Sequence, residues 1–355
     1  MAITGPQDMD EAVSLSTRAL GEAVHLDWSV PAAGLEWSCY DTAVHVASCY
    51  TAYAAQVTGR ARTAWVPFEI TADPGTTPAG LLEIITATGG MLSAVVAAAR
   101  PDDRAWHPYG SAGADGFAAM GVVETLLHTH DILSGLGIHD WEPGPALAER
   151  ALDRLFPHVP RGHDSWRTLL WATGRGELPG LARQASWRWY AEPVEAGSVL
   201  LCEISPMAAA DLHAGGSGGF AWAGEGPGDG TRYAAGMVTK ARDAGTYRPG
   251  WGPYAIIRAS DRRAIGGMGF HGAPDADGRA EVGYDLLPSA RGNGHATEAL
   301  KALTAWAFGQ PGTTLLAATT DADNTPSQGV LGRTGFTEAG TGEGLVRYVL
   351  RGSAG

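Results

Sequence analysis

Glu281-Val282-Gly283-Tyr284-Asp285-Leu286-Leu287-Pro288, continuing as Ser289-Ala290-Arg291-Gly292-Asn293-Gly294-His295-Ala296 and Thr297-Glu298-Ala299-Leu300, decides the fold of the second half of the chain. Residues 280–286 mix β-branched and aromatic residues with polar ones, the pattern of a strand. Pro288 stops it, because proline has no N–H to give to a ladder. Residues 291–296 make a glycine-bearing turn, and 297–308 carry apolar residues at helical spacing. A strand, a glycine-rich turn and a helix N-terminus form an anion site. The first-turn amides have no partner within the helix, the dipole favours negative charge, and glycine admits a phosphate close to the backbone. The spacing is neither G-x-x-x-x-G-K-[ST] nor a G-x-G-x-x-G on a first strand, which excludes a P-loop and argues against a dinucleotide fold.

What the run does contain is E-x-G-Y on the strand, then R-x-x-G-x-A, then T-E-A. It resembles the pyrophosphate-binding motif of the GCN5-related N-acetyltransferase (GNAT) family, especially its ribosomal-protein-acetylating branch. The resemblance extends over about 198–352. Strands are expected at 199–204, 254–258, 264–270, 280–286 and 314–319, with Gly335-Phe336 and 345–350 closing the sheet, and helices at 206–214, 233–244, 297–308 and 325–333. It implies an α+β acyl-CoA acyltransferase fold and acetyl-CoA as cofactor. Leu286, Leu287, Arg291, Gly292, Asn293, Gly294, His295, Ala296, Thr297 and Asn324 would hold that cofactor. Glu281 is the candidate general base, directly or through water, and His271 a competing one. Asn324-x-x-Ser327 matches the family's second helix motif. The tyrosine that many members use to protonate the thiolate is replaced by Leu331 here, which leaves Ser327 or water as the proton donor. Phe220, Trp222 and Trp251 are candidates for the wall of an acceptor pocket, or equally for core packing.

The first half reads differently. Helical patterns cover 8–24, 38–57, 78–99 and 117–136, with a further one at 145–155. Four such helices suggest an antiparallel bundle. His45 lies on the second, and Glu124 and His128 share one face of the fourth at i and i+4. The segments 35–38, 42–47 and 124–131 resemble the N-terminal domain of mycothiol-dependent maleylpyruvate isomerases, a DinB-like bundle, over about 8–138. That resemblance implies a divalent metal, zinc, nickel or iron, held by His45, Glu124 and His128. It also brings in a low-molecular-weight thiol as partner. Asp131 is a candidate second-sphere partner or a plain carboxylate, and His130 lies off the shared face.

At 355 residues two domains are the natural expectation. We expect a helical bundle over 1–155, a tryptophan-rich connector over 156–196 packed between domains, and the acetyltransferase domain over 197–355. A formal net charge of −13 argues against a nucleic-acid partner. Lys240 and Lys301 are the only lysines. Cys39, Cys49 and Cys202 are scattered, with no C-x-x-C, so no disulfide framework or cysteine zinc site is indicated. No secretory signal pattern and no run of 18 apolar residues is seen, so a cytoplasmic protein without a membrane span is expected. The functional expectation is an acetyl-CoA-dependent N-acetyltransferase acting on an amine of a small molecule or peptide. The rivals are thiol-cofactor S-transfer or isomerisation at the bundle metal, and a two-domain small-molecule binding protein.

Overall fold

A computed structural model describes residues 4–352 apart from 63, 110, 161, 182, 183, 185, 186, 188, 190–192 and 225. The chain divides into two compact units, residues 1–156 with 162–192, and residues 157–161 with 193–355.

The first unit is helical. α1 (Pro6–Gly21), α2 (Cys39–Gly59), α3 (Pro78–Ala98) and α4 (Ala114–Gly135) pack on one another. Each boundary has a local cause. Ser38 caps α2 by accepting from the Asp41 amide, and Thr77 caps α3 before Pro78 at the first helical position. Past α4, Gly137 takes a left-handed φ of 85°, the expected C-terminal stop. α4 is the central helix, with Phe117, Met120, Leu126 and Ile132 fully buried. Its polar residues pair across the core: the Tyr50 hydroxyl with Thr125, and Ser16 with Thr129. α3 is long and apolar enough to cross a membrane, with a mean hydropathy of 1.7 over its best window. Here its Leu81, Ile85 and Leu92 are buried and it lies against α1, α2 and α4, while Met91 is exposed.

The tryptophan-rich stretch divides between the units. After α5 (Pro145–Leu155), residues 157–161 fall with the second unit. Residues 162–192 fall with the helical unit and contain α6 (Ser165–Ala172), with Trp166 and Trp171 buried. The expected boundary begins at residue 192, which lies outside the described residues.

The second unit is built on a mixed eight-stranded sheet in the order β1-β2-β3-β4-β5-β6-β8-β7. In chain order its elements begin with β1 (Val194–Ala196), β2 (Val199–Glu203), α7 (Pro206–His213), α8 (Asp229–Asp243), β3 (Pro253–Arg258), β4 (Ala264–Phe270) and β5 (Arg279–Leu286). They continue with α9 (His295–Phe308), β6 (Leu315–Asp321), α10 (Thr325–Arg333), β7 (Thr337–Gly342) and β8 (Leu345–Arg351). The expected order is found, with differences at the edges: β7 spans Thr337–Gly342 and not 335–336. β1 forms an extra hairpin with β2, α8 begins at Asp229 and not at 233, and α9 begins at His295 and not at 297. The last difference has a backbone cause: Gly294 caps the helix in a left-handed conformation (φ 83°), so the helix opens directly after it.

α8 and α9 cover opposite faces of the sheet. Thr231 of α8 stands over Gly267, whereas Trp306 of α9 packs on Tyr254 and Phe270 from the alternate face. β5 pairs with β4 along Val282 to Leu286 but with β6 only from Arg279 to Glu281. Beyond Glu281 and Ala317 the two parallel strands splay apart, while β6 stays paired with β8 to Asp321.

Gly266 is where β4 presses hardest on β5. A Cβ there would lie 2.2 Å from the Asp285 carbonyl oxygen and 2.9 Å from the Leu286 Cα, both backbone atoms that cannot swing away. Gly266→Ala is expected to destabilise the protein by about 1–3 kcal/mol, read as a lower denaturation midpoint. An unchanged midpoint would contradict this close strand approach.

Candidate functional site

The splay between β5 and β6 opens a cleft of about 460 Å³. Leu286, Arg291, Gly292, Gly294, His295, Ala296, Thr297, Asn324 and Ser327, all singled out from the sequence, line it together. Gly294 has nothing within 4 Å of where a Cβ would stand, so the turn presents bare backbone to the cleft. The amides of Thr297 and Glu298 return to the Gly294 carbonyl. Those of His295 and Ala296 come too early in α9 to find an intrahelical acceptor. His295 is anchored from behind, donating through Nδ1 to the Ser198 hydroxyl, which donates to Glu298. Two expected residues stay out of the lining. Leu287 is buried against the backbone of Gly226, and the Asn293 amide turns back to the carbonyls of Ala290 and Arg291. Asn324 is the cap of α10, accepting from the Ser327 amide. Arg333, which the sequence reading passed over, joins Arg291 in the lining and reaches the Thr297 hydroxyl at 3.4 Å.

On the α8 face of the same strands lies a smaller pocket of about 180 Å³, walled on one side by Thr231, Tyr233, Ala234 and Met237 of α8. Phe220, Trp222 and Trp251 are not in its lining, and Phe220 and Trp222 pack in the core instead. Phe220 and Trp222 are buried against each other, and half-buried Trp251 meets Phe270 at a tilt and Trp306 edge-on. The reason is register: these side chains follow the α9 face or the loop before α8. His271 lines the pocket, its Nε2 standing 3.1 Å from the position of a Cβ on Gly283, which a glycine leaves vacant. Behind it, Glu281 Oε2 lies 3.9 Å from His271 Nδ1, and its Oε1 accepts from the Thr319 hydroxyl. Glu281 is not in the pocket lining; His271 is.

Tyr284 and Asp285 border both cavities. The Tyr284 hydroxyl donates to the Ser327 carbonyl at 3.0 Å and lies 2.9 Å from the Ser327 hydroxyl. Burial raises its pKa, against the hydrogen bond with Ser327. Leu331 is fully buried, so the helix position without a tyrosine is core. Asp285 accepts from the Thr231 hydroxyl at 2.8 Å. Burial lifts its carboxyl above the ordinary 3.8, outweighing the hydrogen bonds from Thr231 and the Gly267 amide. Neither role is visible from residue type alone; both need the strand register.

In the helical unit His45, Glu124 and His128 do come together. Glu124 Oε2 is 3.1 Å from His128 Nε2 and 3.8 Å from His45 Nε2. Tyr53 donates to Glu124 Oε1. His128 Nδ1 meets Asp131 at 3.1 Å, and Asp131 is held by the Arg175 guanidinium through both carboxylate oxygens. Asp131 is therefore buried and paired, not a plain surface carboxylate. Burial pulls His128 down, but Asp131 and Glu124, one at each nitrogen, carry it up to about 9. Burial likewise works against the Glu124 carboxylate, yet the His128 hydrogen bond and the nearby His45 hold it well below the usual range. Cys49, one turn after His45, was not anticipated: its Sγ is 3.3 Å from His45 Nε2. His130 lies apart, edge-on to Trp166.

Residues 220–337 match the model of the acetyltransferase (GNAT) domain. Among curated proteins, the uncharacterized N-acetyltransferase YjdG of Bacillus subtilis is 32% identical over 87 residues, 24% of this chain and 52% of that protein. The uncharacterized N-acetyltransferase YoaA of the same organism is 32% identical over 100 residues, 28% of this chain and 52% of that protein. The chain thus spans about half the length of the curated relatives it matches. Among solved structures, RimL, a ribosomal L7/L12 α-N-protein acetyltransferase in complex with coenzyme A, aligns with 45% of this chain and 98% of its own. Its identity is 17% and its TM-score 0.34. The match to the GNAT domain thus falls within the second unit.

The state of Asp285 has a measurable consequence. A carboxyl whose folded pKa is raised contributes stability that is fully present below its unfolded value, near 3.8, and is lost as pH rises through the folded value. Asp285→Asn stays neutral throughout. It is expected to be more stable than wild type at about pH 7, with the gap closing below about pH 4. Urea midpoints across that range check this; a variant less stable at neutral pH would contradict it.

Proposed function

We propose that the second unit transfers an acetyl group from acetyl-CoA to an amine of a small molecule or peptide. The observation that carries this reading is the splay of β5 from β6 ending in the bare 291–296 turn at the start of α9. The turn amides, with Arg291 and Arg333 beside them, suit a pyrophosphate. The unpaired edge of β5 suits the amide groups of a pantetheine chain laid along it like an added strand. At about 3.3 Å per residue, the path from Leu286 back to Val282 is about 13 Å. A thioester fixed at the turn would therefore end near Gly283, beside His271.

The bound thioester would supply the acetyl group, and the chain's own residues would move the protons. His271 is placed to take the proton from the incoming amine at Nε2, with Glu281 behind Nδ1 to orient it and stabilise its charge. Glu281 is thus read as the orienting partner and His271 as the base. The Tyr284–Ser327 hydroxyl pair is placed to give a proton to the departing sulfur, the task for which the Leu331 position has no group. A low-dielectric slot makes both transfers depend on positioning.

A second reading concerns the helical unit. We infer from its DinB-like resemblance that it holds a divalent ion through His45, Glu124 and His128 and shapes or recognises the acceptor. S-transfer or isomerisation with a low-molecular-weight thiol is the rival there. The donor set fits an ion: two imidazoles and a carboxylate converge, and Asp131 with Arg175 braces His128 in the manner of outer-sphere carboxylates.

Calorimetry with acetyl-CoA tests the first reading. Gly294→Asp puts a side chain and a negative charge on a left-handed residue facing the cleft, and should abolish binding; equal binding by wild type and variant would refute the assignment. Once an acceptor is known, His271→Ala should lower kcat by about 10²-fold or more and remove the acid limb of the pH–rate profile. Glu281→Gln should lower kcat less. An unchanged His271→Ala profile would return the base to Glu281 or solvent.

A further inference from the structure

We propose that the acceptor of the second unit is a small primary monoamine whose uncharged apolar group, about the size of a benzene ring, sits in the pocket between α8 and the strands β4 and β5. The proposal rests on the acetyl-transfer reading and deepens it by naming the acceptor class. The floor of the pocket is backbone. Gly267, Gly269 and Gly283 line it, and Gly269 pairs with Gly283 across the two strands. Alternation along β4 puts Gly267, Gly269 and then His271 on one face, so His271 is the first side chain there that can reach into the space. The floor closes at Gly267, where a Cβ would lie 2.4 Å from the Thr231 hydroxyl and 3.2 Å from Asp285 Oδ1. His271 and Tyr233 are exposed at the other end. A dry apolar cavity of about 150 Å³ holds benzene, and this pocket offers about 180 Å³.

The lining selects by charge as well as by size. Tyr233 and Met237 stand one turn apart on α8, and Tyr233 is 74% exposed, an aromatic ring that no other side chain covers. A methionine beside it adapts to the shape of an apolar guest. Neither lysine nor arginine is in the lining. A carboxylate or phosphate on the acceptor would enter without a partner and beside Asp285, which sets aside α-amino acids. A second ammonium finds no free partner either. Asp285 already accepts from the hydroxyl and the amide of Thr231 and from the Gly267 amide, which sets aside diamines. β4 is paired on both sides, with β3 and with β5, so the pocket offers a peptide no strand edge to pair with.

The apolar group would run from His271 over Gly283 towards Asp285, about 7 Å for two residues of strand. That leaves the amine nitrogen at His271, where the acetyl carbon would arrive. A nitrogen–carbon bond forms to the acetyl carbonyl as the carbon–sulfur bond breaks. The amine proton passes to His271, and the departing sulfur takes one from the Tyr284–Ser327 hydroxyl pair. The products are an N-substituted acetamide and the coenzyme A thiol.

The test offers the full-length protein acetyl-CoA with a homologous series of n-alkylamines, with phenethylamine, and with alanine, putrescine and a tripeptide of alanine. Release of the coenzyme A thiol is read with a thiol reagent. kcat/KM should rise about fourfold for each added methylene until the pocket is full. The amino acid, the diamine and the tripeptide should lie about tenfold or more below the best alkylamine. Ala234→Leu fills the pocket from the α8 side. It should move the optimum to shorter chains and raise KM for phenethylamine by about tenfold, a change in length preference that a general loss of stability would not give. If that variant does not fold, the series on wild type decides alone. A kcat/KM independent of chain length, or a faster amino acid, diamine or tripeptide, would overturn this proposal and leave the acetyl-transfer reading standing. So would a protein that binds acetyl-CoA in calorimetry and acetylates none of the alkylamines. No binding of acetyl-CoA would overturn both.

Discussion

The pairing of β5 with β6 stops at Glu281, and the layout of the second unit follows from that stop. Buried backbone amides and carbonyls demand partners. Past Glu281, β5 keeps them on the β4 side only, so its other edge is left for water or a ligand. The same divergence lets α10 bring Ser327 to Tyr284 and leaves the start of α9 facing a cleft. Had β6 followed β5 to its end, residues 282–286 would be an interior strand and the turn at 291–296 an ordinary connection. A bare turn at a helix N-terminus, a free strand edge and a hydroxyl pair are thus products of one shortened ladder.

Much of this was legible in residues 281–300. Pro288, the glycines of the turn and the apolar spacing after them act locally, through φ preferences and helix periodicity, and local rules can be read from sequence. The lining of the cleft is accordingly close to expectation, with Leu287 and Asn293 the exceptions. Roles that depend on register were not legible. Glu281 and His271 are both plausible bases on paper; only the pairing of β4 with β5 puts the imidazole over Gly283 and the carboxylate behind it. Asp285 and Arg333 carry no motif, and became visible only when α8 and α10 were in place. Phe220, Trp222 and Trp251 show the converse, since aromatic residues advertise burial without saying which face they bury.

In the helical unit the i, i+4 pair Glu124 and His128 was readable because a helix fixes its own geometry. That His45 would reach the same carboxylate followed from resemblance and not from spacing. The brace from Arg175 to Asp131 comes from the segment after α6, whose helix the tryptophan content did not reveal. Cys49 was dismissed on a rule about cysteine pairs, and a cysteine that stands beside a histidine escapes such a rule.

Tyr284 and Asp285 border both cavities of the second unit, so the partition between them is one strand thick. A ligand lying along the open edge of β5 would therefore serve as part of the wall of the neighbouring pocket. On that geometry occupancy of one cavity would be felt in the other. In the proposed reaction the ligand in the cleft would complete the pocket beside it, which favours the strand-like ligand binding first and the amine second.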